Sequence, residues 1–417
     1  MTTLEVSGAS PAAPRAASIP PSCLHDAFRA TAEWERVNQR RALRLHVGEP
    51  GFGPPRAAVE ALGDAAREGR TSYTSAEGLD ELRVALAAKL NRENGHRTSH
   101  ERIFVSPGSA QGLTALMLSL ASPGDEILLP EIHWPNHLQQ ALIAGFRPRF
   151  YALDDAFRAD PAAVADAASE RTRVVLYNTP SNPTGAVLDR DRQAQLLEVA
   201  RAHGWQVISD EAYEHFVYDG THHSMAALEA HLPEEERIVH SAFTFSKSYA
   251  MTGYRMGYIA VPHARAGSAL CVVQEGSIVS PPTPVQAAAL AALADEGAPA
   301  RNHAAVRANR DSALPALVEA GALRGLPSGG WYALLDLRAF GVGAEEFTAR
   351  LLADHGTAVA LGRGFCLRPE LDAAARVVGV GESPAARHLV RIAFCGDGEQ
   401  LAVGVERLLS AVRGPRR

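Results

Sequence analysis

Ser241-Ala242-Phe243-Thr244-Phe245-Ser246-Lys247-Ser248-Tyr249-Ala250-Met251-Thr252-Gly253-Tyr254-Arg255-Met256-Gly257-Tyr258 sets one lysine among small hydroxyl residues, just after the apolar run Ile238-Val239-His240. Arg255 follows eight positions later, directly ahead of a second apolar run from Met256 to Val261. A lysine in an apolar cleft suits Schiff-base chemistry, because desolvation favours the neutral amine that attacks a carbonyl carbon. Thr244 and Arg255 would flank it as hydroxyl and guanidinium donors to a phosphate. The other reading of this segment is a surface lysine beside a loop, and the rest of the chain decides between the two.

With 417 residues the chain is long enough for about two domains. Its 46% hydrophobic and 21% charged residues are those of an ordinary soluble globular protein. A net charge of -6 leaves no basic footprint for nucleic acid, and no apolar run approaches the roughly 20 residues of a membrane span. Cys23, Cys271, Cys366 and Cys395 are scattered without CxxC spacing, so neither a zinc site nor a disulfide framework is indicated. A reducing cytoplasm fits this usage.

Upstream, helix and strand patterns alternate. Residues 1–21 read as an arm rich in Ala, Pro and Ser whose first part is expected to be disordered. A helix over Leu24–Val37 leads to an extended piece at 43–47 and then to Gly48-Glu49-Pro50-Gly51-Phe52-Gly53-Pro54-Pro55. Gly48 there is a candidate backbone donor to a carboxylate, against the plainer reading of a turn into the helix at Arg56–Glu68. Ile103-Phe104-Val105 runs into Ser106-Pro107-Gly108-Ser109-Ala110-Gln111 and a Leu-rich helix, Gly112–Leu120. Strand, small-residue turn and helix place free N–H groups against an anion, here a single phosphate, since the spacing of a dinucleotide site is missing.

The order repeats. Ile127-Leu128-Leu129 precedes His133-Trp134-Pro135, and Val174-Val175-Leu176-Tyr177 runs into Asn178-Thr179-Pro180-Ser181-Asn182-Pro183-Thr184-Gly185. A helix over Asp189–His203 leads to Val207-Ile208-Ser209-Asp210-Glu211-Ala212-Tyr213. Strands apolar throughout and separated by helices imply a parallel sheet covered on both faces, with polar residues gathered where strands end. Asp210 at such an end needs a partner, and a protonated ring nitrogen would supply one; a helix N-cap is its other reading. Tyr213 can turn a phenol to the same place. Asn182 offers an amide to a phenolate unless it is only a turn former, and Trp134 a stacking face unless it is core.

Together these segments resemble the pyridoxal-phosphate-dependent class I/II aminotransferases, the aspartate-aminotransferase-like enzymes of fold type I. The likeness runs in register from Gly48 to Phe394 and rests on three segments, 178–185, 209–213 and 245–257. It implies an α/β fold, with a large domain built on a mostly parallel seven-stranded sheet covered by helices (48–299) and a smaller α+β domain (22–47 and 300–417). It implies that Lys247 carries the cofactor as a Schiff base and shuttles a proton. Asp210 then keeps the pyridine nitrogen protonated, while Tyr213 and Asn182 bond the phenolic oxygen. Ser109, Ala110, Gln111, Thr244 and Arg255 hold the phosphate, and Trp134 stacks on the ring. Tyr73 corresponds to a tyrosine that reaches the phosphate from the other subunit, so a homodimer with shared sites is implied.

Beyond the lysine, Thr283–Asp295 reads as a helix continuing into a long linking helix through Arg310, 329–335 as a strand, and 344–355 and 399–412 as helices. Arg391 lies within the apolar strand Leu389-Val390-Arg391-Ile392-Ala393-Phe394, where its charge demands a partner. The family role is bidentate pairing with a substrate α-carboxylate, and the alternative is a structural ion pair. Leu361 stands where the family commonly has proline, and Trp331 where it has phenylalanine, which leaves side-chain specificity open. Transamination is the expected reaction. The same site could support elimination, replacement or cyclisation on an amino acid such as S-adenosylmethionine or an arginine derivative, and a non-catalytic sensor on the same fold is the reading from a different class. Where dicarboxylate-specific members carry a second arginine, this chain aligns Glu275, which predicts a neutral or cationic substrate.

Overall fold

The computed structural model describes residues 15–413. The disorder expected for the start of the arm falls on residues outside that range. Arg15–Ser18 forms a 3-10 turn, and the buried Ser18 hydroxyl accepts the Val377 N–H. Among the described residues no helix is long and apolar enough to cross a membrane.

Helix α1 (Cys23–Asn38), capped by the Ser22 hydroxyl, leads through β1 (Leu43–Arg44) to α2 (Arg56–Arg67) and α3 (Asp80–Glu93). An alternating stretch follows: β2 (Ile103–Ser106), α4 (Gly108–Leu120), β3 (Glu126–Pro130), α5 (Pro135–Ala144), β4 (Arg147–Tyr151), α6 (Pro161–Asp166) and β5 (Thr172–Asn178). It continues with α7 (Arg190–Ala202), β6 (Gln206–Asp210), β7 (Val239–Thr244), the one-turn α8 (Phe245–Ser248), β8 (Gly257–Ala260) and α9 (Ala264–Ile278). The seven strands form one sheet in the order β2-β8-β7-β6-β5-β3-β4, parallel except for β8, which runs antiparallel to both its neighbours.

Both faces of this sheet are buried, as the unbroken apolar strands require. On β5, Val174 and Leu176 pack into one cluster with Ile127, Leu129 and Ile208, while Val175 and Tyr177 point to the other with Leu128 and Val207. Asp160 caps α6 by accepting the Ala163 N–H at 3.0 Å, with Pro161 in the first turn.

Helix α10 (Thr283–Leu293) and α11 (Ala298–Ala313) are separate, successive helices. The break falls at 294–297 beside Pro299, which has no N–H to continue the ladder. The remaining chain adds α12 (Pro315–Glu319), β9 (Tyr332–Asp336), α13 (Ala344–His355), β10 (Thr357–Ala358) and β11 (Ala360–Leu361). It ends with a hairpin of β12 (Leu367–Leu371) and β13 (Val377–Glu382), then β14 (Leu389–Ala393) and α14 (Gly398–Arg413). Strand β14 is the centre of an antiparallel sheet, β11-β14-β9, which sets Arg391 between Leu334 and Ala360. The β12–β13 hairpin is absent from the sequence reading.

Candidate active site

The carboxyl ends of the parallel strands supply one residue after another to a cavity of about 160 Å³. Ser109 and Ala110 come from the start of α4 after β2, Trp134 follows β3, Asn178 ends β5 and Asn182 follows it, and Asp210 ends β6. Thr244, Lys247 and Arg255 come from the end of β7 and beyond, and Tyr213 and Tyr332 close the side toward β9. Open α/β sheets place ligands in this position, where the strand order reverses beside β3.

One end of the cavity is built for an anion. Helix α4 starts at Gly108, so Ser109, Ala110 and Gln111 belong to its first turn rather than to a loop, and no side chain caps their N–H groups. Gly257 packs directly on that turn, where a Cβ would come within 2.3 Å of the Ser109 nitrogen. Arg255 is held in the left-handed region at φ 56, donates to the Thr252 carbonyl at 2.8 Å, and lies so close to Gly108 that a Cβ there would meet its guanidinium at 2.4 Å. A cation against the positive end of a helix is unfavourable unless an anion sits between them. Thr244, which caps α8 by accepting the Ser246 N–H at 3.1 Å, adds a hydroxyl to the same wall.

The opposite wall holds Asp210. His137 Nε2 lies 2.8 Å from its Oδ2, and Oδ1 accepts the Ala212 N–H at 3.2 Å. Asn178 fixes the turn above by donating to the Asp210 carbonyl and accepting the Asn182 N–H at 2.8 Å. Burial pushes the Tyr213 phenol well above its ordinary range, with Tyr332 adding to the effect, so Tyr213 is a donor at neutral pH.

Lys247 is one of only two lysines in the chain. The other, Lys89, is buried on α3 and bonded to Glu214 and Asn94. Lys247 is half-buried, its Nζ donating to the Gly48 carbonyl at 3.4 Å and lying 4.8 Å from the centre of the Trp331 ring. Arg391 is buried at the cavity's edge, with Nη1 donating to Asn182 Oδ1 at 3.0 Å and Nη2 to the His46 carbonyl at 2.8 Å, while its Nε is buried without a partner. Both acceptors are neutral, which leaves the guanidinium charge free for a carboxylate. A larger cavity, about 590 Å³, lies outside α3 and α11, but its ionic groups Lys89, Glu93 and His215 are engaged with one another or with Glu214.

Residues 40–408 match the family model described as aminotransferase class I and II. The chain belongs to the class I and II aminotransferases. It is similar to the aspartate/prephenate aminotransferase of Thermus thermophilus, with 34% identity over 78% of this chain and 83% of that one. It is also similar to the arginine–pyruvate transaminase AruH of Pseudomonas aeruginosa, with 33% identity over 81% of this chain and 85% of that one. A solved Thermus thermophilus aspartate aminotransferase double mutant superposes with a TM-score of 0.84 at 30% identity, over 95% of this chain and 98% of that chain. These aminotransferases use pyridoxal phosphate, and the α/β architecture with a seven-stranded, mostly parallel sheet is theirs.

In this aminotransferase the site cavity gathers Ser109, Ala110, Trp134, Asn182, Asp210, Tyr213, Thr244, Lys247 and Arg255 as the sequence reading expected. Four expected residues are not among its lining residues: Arg391, which bonds Asn182 at its edge, and Gln111, Gly48 and Tyr73. Gln111 turns its side chain into a neighbouring groove with Thr114 and Gln140, because it sits on the far side of the first turn of α4, so only its backbone faces the anion end. Gly48 presents its carbonyl to Lys247 Nζ at 3.4 Å. Tyr73 is 83% exposed and does not line this chain's cavity. His137, Ser246, Thr252 and Tyr332 went unnamed. His137 carries no local motif and is found only through its contact with Asp210.

Proposed function

We propose that this aminotransferase moves the amino group of a neutral or cationic α-amino acid to a keto acid, with pyridoxal phosphate carried on Lys247. The observation that carries this is that Lys247, Asp210 and the uncapped start of α4 line one cavity, with Arg391 bonded to Asn182 at its edge. The residues fit the cofactor chemically: an uncapped helix start and Arg255 suit a phosphate, a hydrogen-bonded carboxylate suits a ring nitrogen, and two donors suit a phenolate. When bound, the cofactor supplies an electron sink for charge developing at the substrate α-carbon.

The chain's own residues would do the rest. Arg391 binds and orients the α-carboxylate, so that the α-hydrogen is presented to Lys247. Lys247 would take that proton from the α-carbon and carry it toward the bound cofactor. Asp210, steadied by His137, holds the ring proton. Tyr213 and Asn182 stabilise the phenolic oxygen, and Trp134 covers the ring against water. The smaller unit, 22–47 with 300–417, brings Arg391 to the larger one, 48–299. Tyr73, exposed here, is assigned to the phosphate of a second copy, making the active enzyme a homodimer.

Among this chain's residues lining the cavity the cations are Lys247 and Arg255, both given to the cofactor in this reading. The test is a half-reaction. The right amino acid alone should convert the cofactor stoichiometrically to its aminated form, and a keto acid should restore it. Repeated turnover without an acceptor would instead identify a lyase, replacement enzyme or cyclase.

A further inference from the structure

Lys247 rides on α8, a single turn of four residues, too short for its own hydrogen bonds to hold a side chain in one place. Its fixings come from flanking residues and from other elements. Thr244 accepts the Ser246 N–H, and the Thr252 hydroxyl donates to the Ser246 carbonyl at 3.0 Å. Ser248, next to the lysine, is held twice: Asn302 of α11 donates to its carbonyl at 2.9 Å, and His215 Nδ1 lies 2.7 Å from its Oγ. His215 stands two residues after Tyr213, on the chain that leaves β6. One bond thus joins the segment bearing the phenol to the segment bearing the amine, which the neighbouring strands β6 and β7 deliver separately.

His215 is itself braced. Its Nε2 lies 3.5 Å from Glu93 Oε2 on α3, and Glu214 beside it is bonded to Lys89 and Asn94. With an Nε2–H turned to the Glu93 carboxylate, Nδ1 accepts the Ser248 O–H. The imidazole is half-buried and lines the cavity of about 590 Å³ outside α3 and α11, while Ser248 behind it is buried.

We propose that His215 is a positioning residue that holds Lys247, through Ser248, where the amine can meet the cofactor's aldehyde. The inference rests on the reading of Lys247 as the attachment point. In that step the amine nitrogen bonds to the carbonyl carbon, and the carbonyl oxygen leaves as water with the two amine protons. Partners held in place react faster than the same partners left to wander, so α8 without His215 should lose rate with an aldehyde that the site fixes by its phosphate and ring. It should lose none with a small free aldehyde, which reaches the amine from any direction.

The test follows that step in the full-length chain stripped of cofactor, by borohydride trapping at timed intervals and peptide mapping of the only lysines, Lys89 and Lys247. Borohydride adds hydride to the C=N carbon and the nitrogen takes a proton from solvent. His215→Phe should slow fixation of pyridoxal phosphate on Lys247 about fivefold, the effect of one hydrogen bond, and Ser248→Ala should slow it equally. The double variant should be no slower than either, since both remove the same bond. His215→Asn, whose side chain sets an amide atom where Nδ1 stands, should stay within about twofold of wild type. Formaldehyde with the same reductant should methylate Lys247 at one rate throughout. Wild-type fixation in His215→Phe, additive losses in the double variant, or a formaldehyde rate that falls with the cofactor rate overturns the proposal. Label away from Lys247 in the wild-type chain overturns the reading on which it rests, and the inference with it.

Discussion

His137 Nε2 and Asp210 Oδ2 are 2.8 Å apart, and both side chains are buried. The carboxylate that ends β6 is thereby held by an imidazole from α5, an element 73 residues earlier in the chain. A hydrogen bond to a charged group contributes about 1.5–3 kcal/mol, so His137→Phe should lower kcat/KM by about tenfold or more. Cofactor dissociation should quicken as well. Steady-state kinetics and a dialysis time course read both effects, and wild-type values in each would remove His137 from the site.

Arg391 is bound at both ends by neutral oxygens and stacked between Tyr332 and Phe365. Replacing it by alanine deletes two charge-assisted bonds to the substrate, an effect of about 3 kcal/mol or more. Catalytic efficiency toward amino acids should fall at least about a hundredfold. Visible absorbance of the cofactor should persist. Loss of the cofactor or of the fold would assign the arginine a structural duty instead.

Substrate choice is tested by half-reactions with aspartate, leucine and arginine. Glu275 sits on α9, exposed and beside Cys271 and outside this chain's cavity, so any effect it has on a substrate must be exerted in the site of a second copy. Aspartate should be a poor donor, and Glu275→Gln should slow the arginine reaction selectively. Efficient reaction with aspartate would end the idea of a neutral or cationic pocket.

Acid stability follows from buried imidazoles. Burial depresses His46 and His96 to about 4, and His133 and His240 to about 3. Below the ordinary value of 6.5 the unfolded chain therefore takes up protons that the folded chain refuses. Stability should fall steadily from about pH 6.5 to about pH 4. Burial pushes Glu214 up, but Lys89 and His215, with hydrogen bonds from Lys89 and Asn94, more than offset it and hold it at about 2. That carboxylate's contribution is present above its ordinary 4.5 and lost only between there and about 2. Urea midpoints that stay level from pH 7 to pH 4.5 would contradict the assignment of neutral histidines.

The sheet was legible because β3, β5 and β6 are apolar on both faces, and β5 and β6 end in polar residues, so Asn178 and Asp210 announce themselves. Lys247 and Arg255 were legible for the same reason, flanking the buried strands β7 and β8. The β12–β13 hairpin was not, since Arg368, Pro369 and Glu370 and then Gly379 and Gly381 interrupt any alternation. Tyr332 drew no notice within the strand read at 329–335, because its place in the site depends on β9 pairing with β14 and bringing it over Arg391. His137 and Tyr332 share one property: their importance lies in contacts across the fold that leave no trace in spacing.

Reduction with borohydride followed by peptide mass mapping tests the central claim most directly, because the chain offers only Lys89 and Lys247 as attachment points. The holoenzyme should carry the reduced cofactor on the peptide containing Lys247, with Lys89 unmodified in its bonds to Glu214 and Asn94 and no label in Lys247→Ala. Label on Lys89, or label that survives Lys247→Ala, would contradict the account.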